Sequence, residues 1–329
     1  MADRKTIAER DAEWEPKPYV SGEDRPRGEG SVFDPKARSE GHTGPKAFVT
    51  GWPVWHSRSP LIHGQWLRTY GLAGSYGRVS VPPEEIDDFL TGLKAAGYVG
   101  GNVTIPHKER AFAVVDKRDA AAEAIGAVNT LWFEGGTLVG GNTDAYGFAT
   151  NLDERLPGWA DAEHAVVIGA GGAARAVIFA LIERGVSHIA VINRTLSRAE
   201  ALAQVFGPAV SAHSESDRDL LLAKADLLVN TAPVPERDPE EEQLPPMFHV
   251  KPSVDLSVMR SDALVTDIVY SPLMTPTLNG AAAAGLRFCD GLGMLLHQAV
   301  PGFERWFGQR PEVTDALRSL ILKDLGLAE

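Results

Sequence analysis

Apolar and polar positions along the 329 residues fall into two regimes. Residues 1–44 carry few large apolar side chains at no recurring spacing. From Lys46 onward, short apolar runs alternate with stretches of helical periodicity. Runs at 47–50, 76–81 and 100–104 predict strands. Runs at 127–133 and 137–139 predict two more, parted by a Glu-Gly-Gly turn. A helix is expected over about 60–70. Ile86, Phe89, Leu90 and Leu93 stand at i, i+3, i+4 and i+7, the apolar stripe of a helix that starts near Pro83.

A second run opens at residue 165. Residues 165–168 are continuously apolar, as in a strand buried on both faces. A helix over 172–184, closed by Gly185, follows. Then come a strand over 188–193, a helix over 196–206, and strands over 226–229 and 263–269. Two helices, about 292–307 and 312–325, finish the pattern. Residues 234–246, acidic and rich in proline, read as an exposed loop. Alternating β and α units predict the α/β class, with a mainly parallel sheet covered on both faces. No internal repeat of fixed period is present.

Composition narrows the function. The chain is 44% hydrophobic and 23% charged, an ordinary globular balance. Lys plus Arg number 32 against 44 Asp plus Glu, a net charge of −12. That excess disfavours nucleic acid and anionic membrane as partners, yet leaves room for one local cationic pocket. No apolar stretch approaches the ~18 residues of a membrane helix. Cys289 is the sole cysteine, so no intrachain disulfide forms, and a reducing, cytoplasmic location is expected. Cys289 itself reads as a small buried hydrophobe. The nine histidines form no HExxH or Cys/His cluster, so no metal is expected. Residues 1–44 read as a disordered tail, with 5–15 as a short docked helix; they have no apolar core for a signal peptide and too many acids for a transit peptide.

Two regions carry chemistry. The strand at 165–168 runs into Gly169-Ala170-Gly171-Gly172-Ala173-Ala174, a G-x-G-x-x-A turn. Gly169 permits the tight turn, Gly171 lets backbone approach a pyrophosphate, and Ala174 lets the helix pack on the strand. The helix N-terminus then faces the phosphates with free N–H groups. About 20 residues on, an acid would select NAD. Here the second strand ends in Asn193-Arg194-Thr195, with Arg198 one turn further. Two guanidiniums and a hydroxyl suit a 2′-phosphate, and predict NADP.

The other region holds four polar clusters at strand ends: residues 56–60, 102–108, 126–130 and 141–144. Open α/β sheets place ligand groups there. Ser57 and Ser59 suit a carboxylate. Asn102, Thr104 and Asn129 suit hydroxyls. Lys108 and Asp144 suit an acid–base pair. Singly, each has a plainer reading: a helix start at Ser59-Pro60, turn or cap residues at Asn142 and Asp144, a surface charge at Lys108.

Taken together, GWPVWHSRSPLIH at 51–63, GGNVTIPHK at 100–108, GAVNT at 126–130, GGNTDAYG at 140–147, GAGGAARA at 169–176 and NRTLSRA at 193–199 resemble the shikimate dehydrogenases. DIVYSPLMTP at 267–276 and DGLGMLLHQA at 290–299 extend the resemblance, which covers about residues 46–329. It implies an N-terminal α/β substrate domain and a Rossmann-type NADP domain, with the C-terminal helices returning to the first. The implied division is 45–145 with 291–329 for substrate, and 146–290 for NADP. It implies Lys108 and Asp144 as catalytic pair. Ser57 and Ser59 would hold the carboxylate, and Asn102, Thr104, Asn129, Asp144, Tyr270 and Gln298 would lie on or near ring hydroxyls. Gly169, Ala170, Gly171, Gly172 and Ala173, then Asn193, Arg194, Thr195, Leu196, Ser197 and Arg198, with Thr231, would hold the dinucleotide. Ile268, Gly291 and Met294 would line the nicotinamide pocket.

The implied reaction is NADPH-dependent reduction of 3-dehydroshikimate. A quinate/shikimate dehydrogenase using NAD, and a catalytically silent NADP- or shikimate-binding relative, remain alternatives. The first is disfavoured by Arg194 and Arg198, the second by retention of Lys108 and Asp144. A folate-type methylene dehydrogenase suits neither the serine pair nor the N-T-D motif. A monomer or homodimer is expected. His107, between Pro106 and Lys108, reads as a packed or solvent-facing imidazole. After Thr231, the stretch Ala232-Pro233-Val234-Pro235 departs from the family pattern.

Overall fold

The computed structural model describes residues 44–233 and 255–327. The expected tail, Gly44 excepted, and the expected loop at 234–246 lie outside those residues.

The first sheet contains β1 (Lys46–Gly51), β2 (Ser75–Ser80), β3 (Tyr98–Val103), β4 (Lys117–Arg118), β5 (Thr130–Glu134) and β6 (Thr137–Gly141). Their order is β2-β1-β3-β5-β6-β4. All pairings are parallel except those of β5, which runs against β3 and β6. The expected mainly parallel sheet is therefore a mixed one here. The cause is local: Gly135 and Gly136 have φ of +57° and +93°, so the chain reverses within two residues. That reversal brings the start of β5 to the edge where β1, β3 and β6 end. Across it, Asn102 pairs with Thr130 and Thr130 with Gly141.

The second sheet contains β7 (His164–Ile168), β8 (His188–Ile192), β9 (Val210–His213), β10 (Leu227–Asn230), β11 (Leu264–Asp267) and β12 (Arg287–Cys289). All are parallel, in the order β12-β11-β10-β7-β8-β9. That is the doubly wound order 3-2-1-4-5-6 read from the other edge, which opens a crevice beyond β7 and β10. Four of the five residues of β7 are buried, as its continuous apolar run requires. Strand β11 stops short of the expected residue 269. The Asp267 carboxylate accepts the Val269 N–H at 2.9 Å and draws the chain off the sheet.

Helices tie the two sheets together. Among those used below are α1 (Ser59–Thr69), α2 (Ile86–Gly92), α3 (Lys108–Val114), α4 (Ala120–Ile125) and α5 (Asp144–Arg155). The stripe expected near Pro83 is real: Ile86, Phe89, Leu90 and Leu93 are all buried. Helix α5 leaves the first sheet and buries Phe148 and Leu152 with Val167 of β7 and Leu181 of the helix that follows it. α6 (Gly172–Glu183) ends as expected, with Gly185 at φ +88°. α7 (Leu196–Phe206), α8 (Arg218–Leu222) and α9 (Pro276–Ala283) complete the second unit.

The helix expected over 292–307 is two helices, α10 (Leu292–His297) and α11 (Ala299–Phe307), parted at Gln298. Pro301 has no N–H to donate to the His297 carbonyl, so the ladder breaks there. With α12 (Asp315–Asp324), these helices return to the first unit. Leu292, Leu296, Phe303, Leu317 and Ile321 pack with Ile62, Trp66 and Leu67 of α1. Full burial of a side chain of that size contributes ~1.5–3 kcal/mol, so this return is a substantial part of the core.

Candidate active site

The edge shared by β1, β3, β5 and β6 opens into a cavity of about 250 Å³. Its floor is polar and built by strand register. Lys108 is the first residue of α3 and Asp144 the first of α5. The Lys108 Nζ donates to Asp144 Oδ2 at 2.6 Å, and Asn129 Nδ2 donates to Asp144 Oδ1 at 2.8 Å. The backbone of Asp144 is fixed as well: its N–H donates to Asn142 Oδ1 at 3.0 Å, while Asn142 Nδ2 donates to the Ala127 carbonyl at 3.0 Å. The pair is part-exposed, 29% for Lys108 and 16% for Asp144, so it remains open to a ligand.

The substrate-side residues predicted from sequence converge. Ser57, Ser59, Asn102, Thr104, Lys108, Asn129, Asp144, Tyr270 and Gln298 all line this cavity. Ser57 Oγ donates to Ser59 Oγ at 3.3 Å, and to that loop Arg78 adds two bonds on the Ser57 carbonyl, at 3.0 and 2.5 Å. Arg58 pairs with Asp324 of α12 at 3.0 Å, anchoring the loop to the C-terminal helices. His56 also lines the cavity; burial, then Arg58 and Arg78, hold its pKa below the usual histidine value. With Arg58 balanced by Asp324, the charge that Arg78 brings to this corner suits an anionic group despite the acidic chain.

His107 is packed, not solvent-facing. It is 1% exposed and its Nε2 lies 2.7 Å from the Val81 carbonyl. Burial lowers its pKa, with the Val81 hydrogen bond opposing. It ties the loop before Lys108 to the end of β2. Cys289 is buried as expected, and burial pushes its thiol up to about 11. Among the described residues, no group of three or more His, Cys, Asp and Glu side chains is placed to hold a metal.

Of the residues predicted to hold cofactor, Ala173, Ile268, Gly291 and Met294 line the same cavity. The remainder lie along the ends of β7, β8 and β10. Gly169 has φ +102°, and a Cβ there would meet Thr231 Oγ1 at 2.6 Å, so the turn needs glycine twice over. Thr231 is fixed by its hydroxyl, which donates to the Ile168 carbonyl at 2.8 Å. Gly171 and Gly172 are exposed, with open space where a Cβ would stand, and no side chain caps the start of α6. Ala170 sits within this turn. Backbone N–H groups at that helix end are therefore free to meet a pyrophosphate. At the end of β8, Asn193 Nδ2 donates to the Thr195 carbonyl at 2.8 Å and shapes the turn. Arg194, Leu196, Ser197 and Arg198 are exposed, and among the described residues neither guanidinium has an ion-pair partner. This chemistry fits NADP.

Sequence reasoning missed Tyr76, which bonds Asn102, His63, which stacks on Tyr76, and Arg78, which holds the Ser57 carbonyl. Nothing local marks them: Tyr76 and Arg78 lie on an ordinary strand and His63 on an ordinary helix. It also missed Arg175 of α6, which donates to the Ile125 carbonyl at the end of α4 and so links the dinucleotide helix to the first unit.

Comparisons with known proteins give matches along most of the chain. Residues 49–131 match the family model described as shikimate dehydrogenase substrate binding domain. Residues 152–260 match shikimate / quinate 5-dehydrogenase, and 291–321 match shikimate 5′-dehydrogenase C-terminal domain. A shikimate dehydrogenase (NADP(+)) of Brucella abortus is 58% identical over 296 residues, 90% of this chain and 99% of that protein. The structure of shikimate 5-dehydrogenase from Thermus thermophilus in complex with NADP(H) and shikimate has a TM-score of 0.68 at 36% identity. It covers 86% of this chain and 98% of its own. A quinate dehydrogenase from Corynebacterium glutamicum in complex with NAD reaches a TM-score of 0.76 at 30% identity, covering 85% and 99%.

Proposed function

Because the chain belongs to the shikimate dehydrogenase family, we propose that it reduces 3-dehydroshikimate to shikimate with NADPH, reversibly, in the route to chorismate and the aromatic amino acids. The observation that carries the reading is the ion pair of 2.6 Å between Lys108 and Asp144, set between a serine-lined anion corner and the wall formed by Ala173, Ile268 and Met294.

Ser57 and Ser59 bind the carboxylate, beside the Arg78 guanidinium that holds the Ser57 carbonyl. Asn102, Thr104, Asn129, Tyr270 and Gln298 orient the ring through its hydroxyls. NADPH, when bound, supplies hydride to the C3 carbonyl carbon. Negative charge then develops on the carbonyl oxygen, and Lys108 gives it a proton. Asp144 orients Lys108 and the same oxygen. In the oxidative direction Lys108 takes the proton back. A positioned acid–base group of this kind contributes ~10²–10⁴-fold in rate. Water must be excluded and the reacting atoms brought near contact, which a cavity lined by substrate-side and cofactor-side residues together favours.

Residues 169–173 and Thr231 hold the pyrophosphate side of the cofactor, residues 193–198 the adenosine 2′-phosphate, and Ile268, Gly291 and Met294 the nicotinamide. Residues 45–145 with 291–329 form the substrate half and 146–290 the cofactor half. No helix among the described residues is long and apolar enough to cross a membrane. A cytoplasmic monomer or homodimer without nucleic-acid partners accords with the single cysteine and the charge of −12. Initial rates with shikimate and quinate, each with NADP⁺ and NAD⁺, test the reading. Turnover should be fastest with shikimate and NADP⁺; preference for quinate with NAD⁺ would overturn it.

A further inference from the structure

Asn102 faces the cavity, yet it is only 6% exposed and its amide is nearly fully committed. Its Nδ2 donates to the Asn129 carbonyl at 3.1 Å and to Thr130 Oγ1 at 3.2 Å. Its Oδ1 accepts from Tyr76 Oη at 2.6 Å. A carboxamide has two donors and two acceptor sites. Both donors and one acceptor site are used, so Asn102 can meet a ligand only as an acceptor.

The bonds run in one direction. Tyr76 donates to Asn102, Asn102 to Thr130, Thr130 Oγ1 to Asn129 Oδ1 at 2.8 Å, and Asn129 to Asp144. Chains of this kind polarise one another and fix each amide's orientation. Tyr76 is the head of the chain, and its own position is set by packing. Its ring stacks on His63 at 4.0 Å between centroids and 17° between planes. His63 is fully buried, lies near-parallel to Phe303 on its other neighbour, and finds no hydrogen-bond partner for either ring nitrogen. Burial pulls its pKa to about 3, far outweighing the opposing effect of the nearby Asn102 side chain, so it packs as a neutral aromatic. Burial likewise pushes the Tyr76 phenol well above its ordinary value, against the Ser59 side chain and Arg78. The phenol therefore remains a donor throughout the working pH range.

We propose that Tyr76 is a positioning residue for substrate recognition: its hydroxyl fixes the Asn102 amide so that the remaining Oδ1 lone pair accepts a ring hydroxyl of the substrate. The residue does not touch the substrate; it acts through Asn102. Because Thr130, Asn129 and Asp144 stay linked without it, its loss should weaken binding of the substrate and spare the chemical step.

The inference rests on the shikimate dehydrogenase reading, and the experiment separates the two. Wild-type protein and Tyr76→Phe, which keeps the stacked ring, are compared in initial rates with shikimate and NADP⁺ and in thermal melts. One neutral hydrogen bond is worth enough to raise the KM for shikimate by about 3- to 10-fold. The kcat, the KM for NADP⁺ and the Tm should stay near wild type. Wild-type protein without turnover overturns the functional reading itself. With wild-type turnover in hand, an unchanged shikimate KM overturns the role of Tyr76. So does a fall in kcat alone, or a joint rise of both KM values with a lowered Tm, which would mark a merely structural residue.

Discussion

Lys108 and Asp144 each begin a helix, 36 residues apart in the chain, and their side chains meet at 2.6 Å. The carboxylate lies at the end of α5 where the helix dipole favours negative charge. The amine gains nothing from the start of α3, so its place there is set by the strand that precedes it and by the acid it faces.

Removing that amine should separate chemistry from binding. Lys108→Ala is expected to lower kcat by about 10²-fold or more, in line with loss of a positioned acid. The shikimate dissociation constant should change little, because the serine corner and the amide residues remain. Steady-state rates paired with calorimetric titration check this, and near-normal turnover would take Lys108 out of the mechanism.

Arg194 and Arg198 stand exposed at the end of β8 without ion-pair partners among the described residues. Arg194→Ala combined with Arg198→Ala should raise the KM for NADP⁺ by at least about tenfold, since each charge-assisted bond contributes ~1.5–3 kcal/mol. The KM for NAD⁺, which lacks the 2′-phosphate, should barely move. Equal changes for both cofactors would remove the 2′-phosphate from this turn.

His63 predicts a pH effect on stability. Its folded pKa of about 3 lies below the ordinary histidine value of about 6.5 that holds in the unfolded chain. Below pH 6.5 the unfolded chain therefore takes up a proton that the folded one refuses. Stability falls as pH drops from 6.5 toward 3, at up to ~1.4 kcal/mol per pH unit, and the contribution is intact above 6.5. His63→Phe, placed among Trp66, Tyr76, Phe303 and Trp306, removes that proton. Between pH 6.5 and pH 5 the variant should lose roughly 2 kcal/mol less than wild type in denaturant titrations. His107 and His297, also lowered by burial, leave a residual acid sensitivity in both proteins. Parallel pH profiles would contradict the assignment.

Gly293 predicts a packing effect. A Cβ there would collide with Asn151 Oδ1, where α10 crosses α5. Asn151 Nδ2 holds the Asp290 carbonyl at 2.8 Å, so Gly293→Ala must turn Asn151 away from it. Overpacking of this sort costs ~1–3 kcal/mol, and the Tm should fall by several degrees. Because Gly291 and Met294 flank the same crossing, the KM for NADP⁺ should rise with it. A variant with wild-type Tm would show that the helices part freely.

Much of the site is legible along the chain because its signals are local. The glycine turn at 169–172 needs only a strand before it and a helix after it. The basic turn at 193–198 needs only the absence of an acid. The polar clusters stand directly after strands, and the resemblance ties each to a role. The bend at Gln298 was hidden because its cause, Pro301, lies inside a run of good helical periodicity. The reversed direction of β5 was in principle readable from the Glu-Gly-Gly turn, but not its place between β3 and β6.

The set of reactive groups and the two α/β units that carry them are written locally, since turns, caps and apolar periodicity depend on neighbours a few residues away. Which of those groups touch is set by the folded arrangement alone. The register that sets Asn102 beside Thr130, and Thr130 beside Gly141, is a property of three strands at once. The donor chain from Tyr76 to Asp144 follows from that register, and so does the buried, unpaired state of His63. Such contacts depend on burial and on pairing across the sheet, quantities that no local stretch of the chain contains.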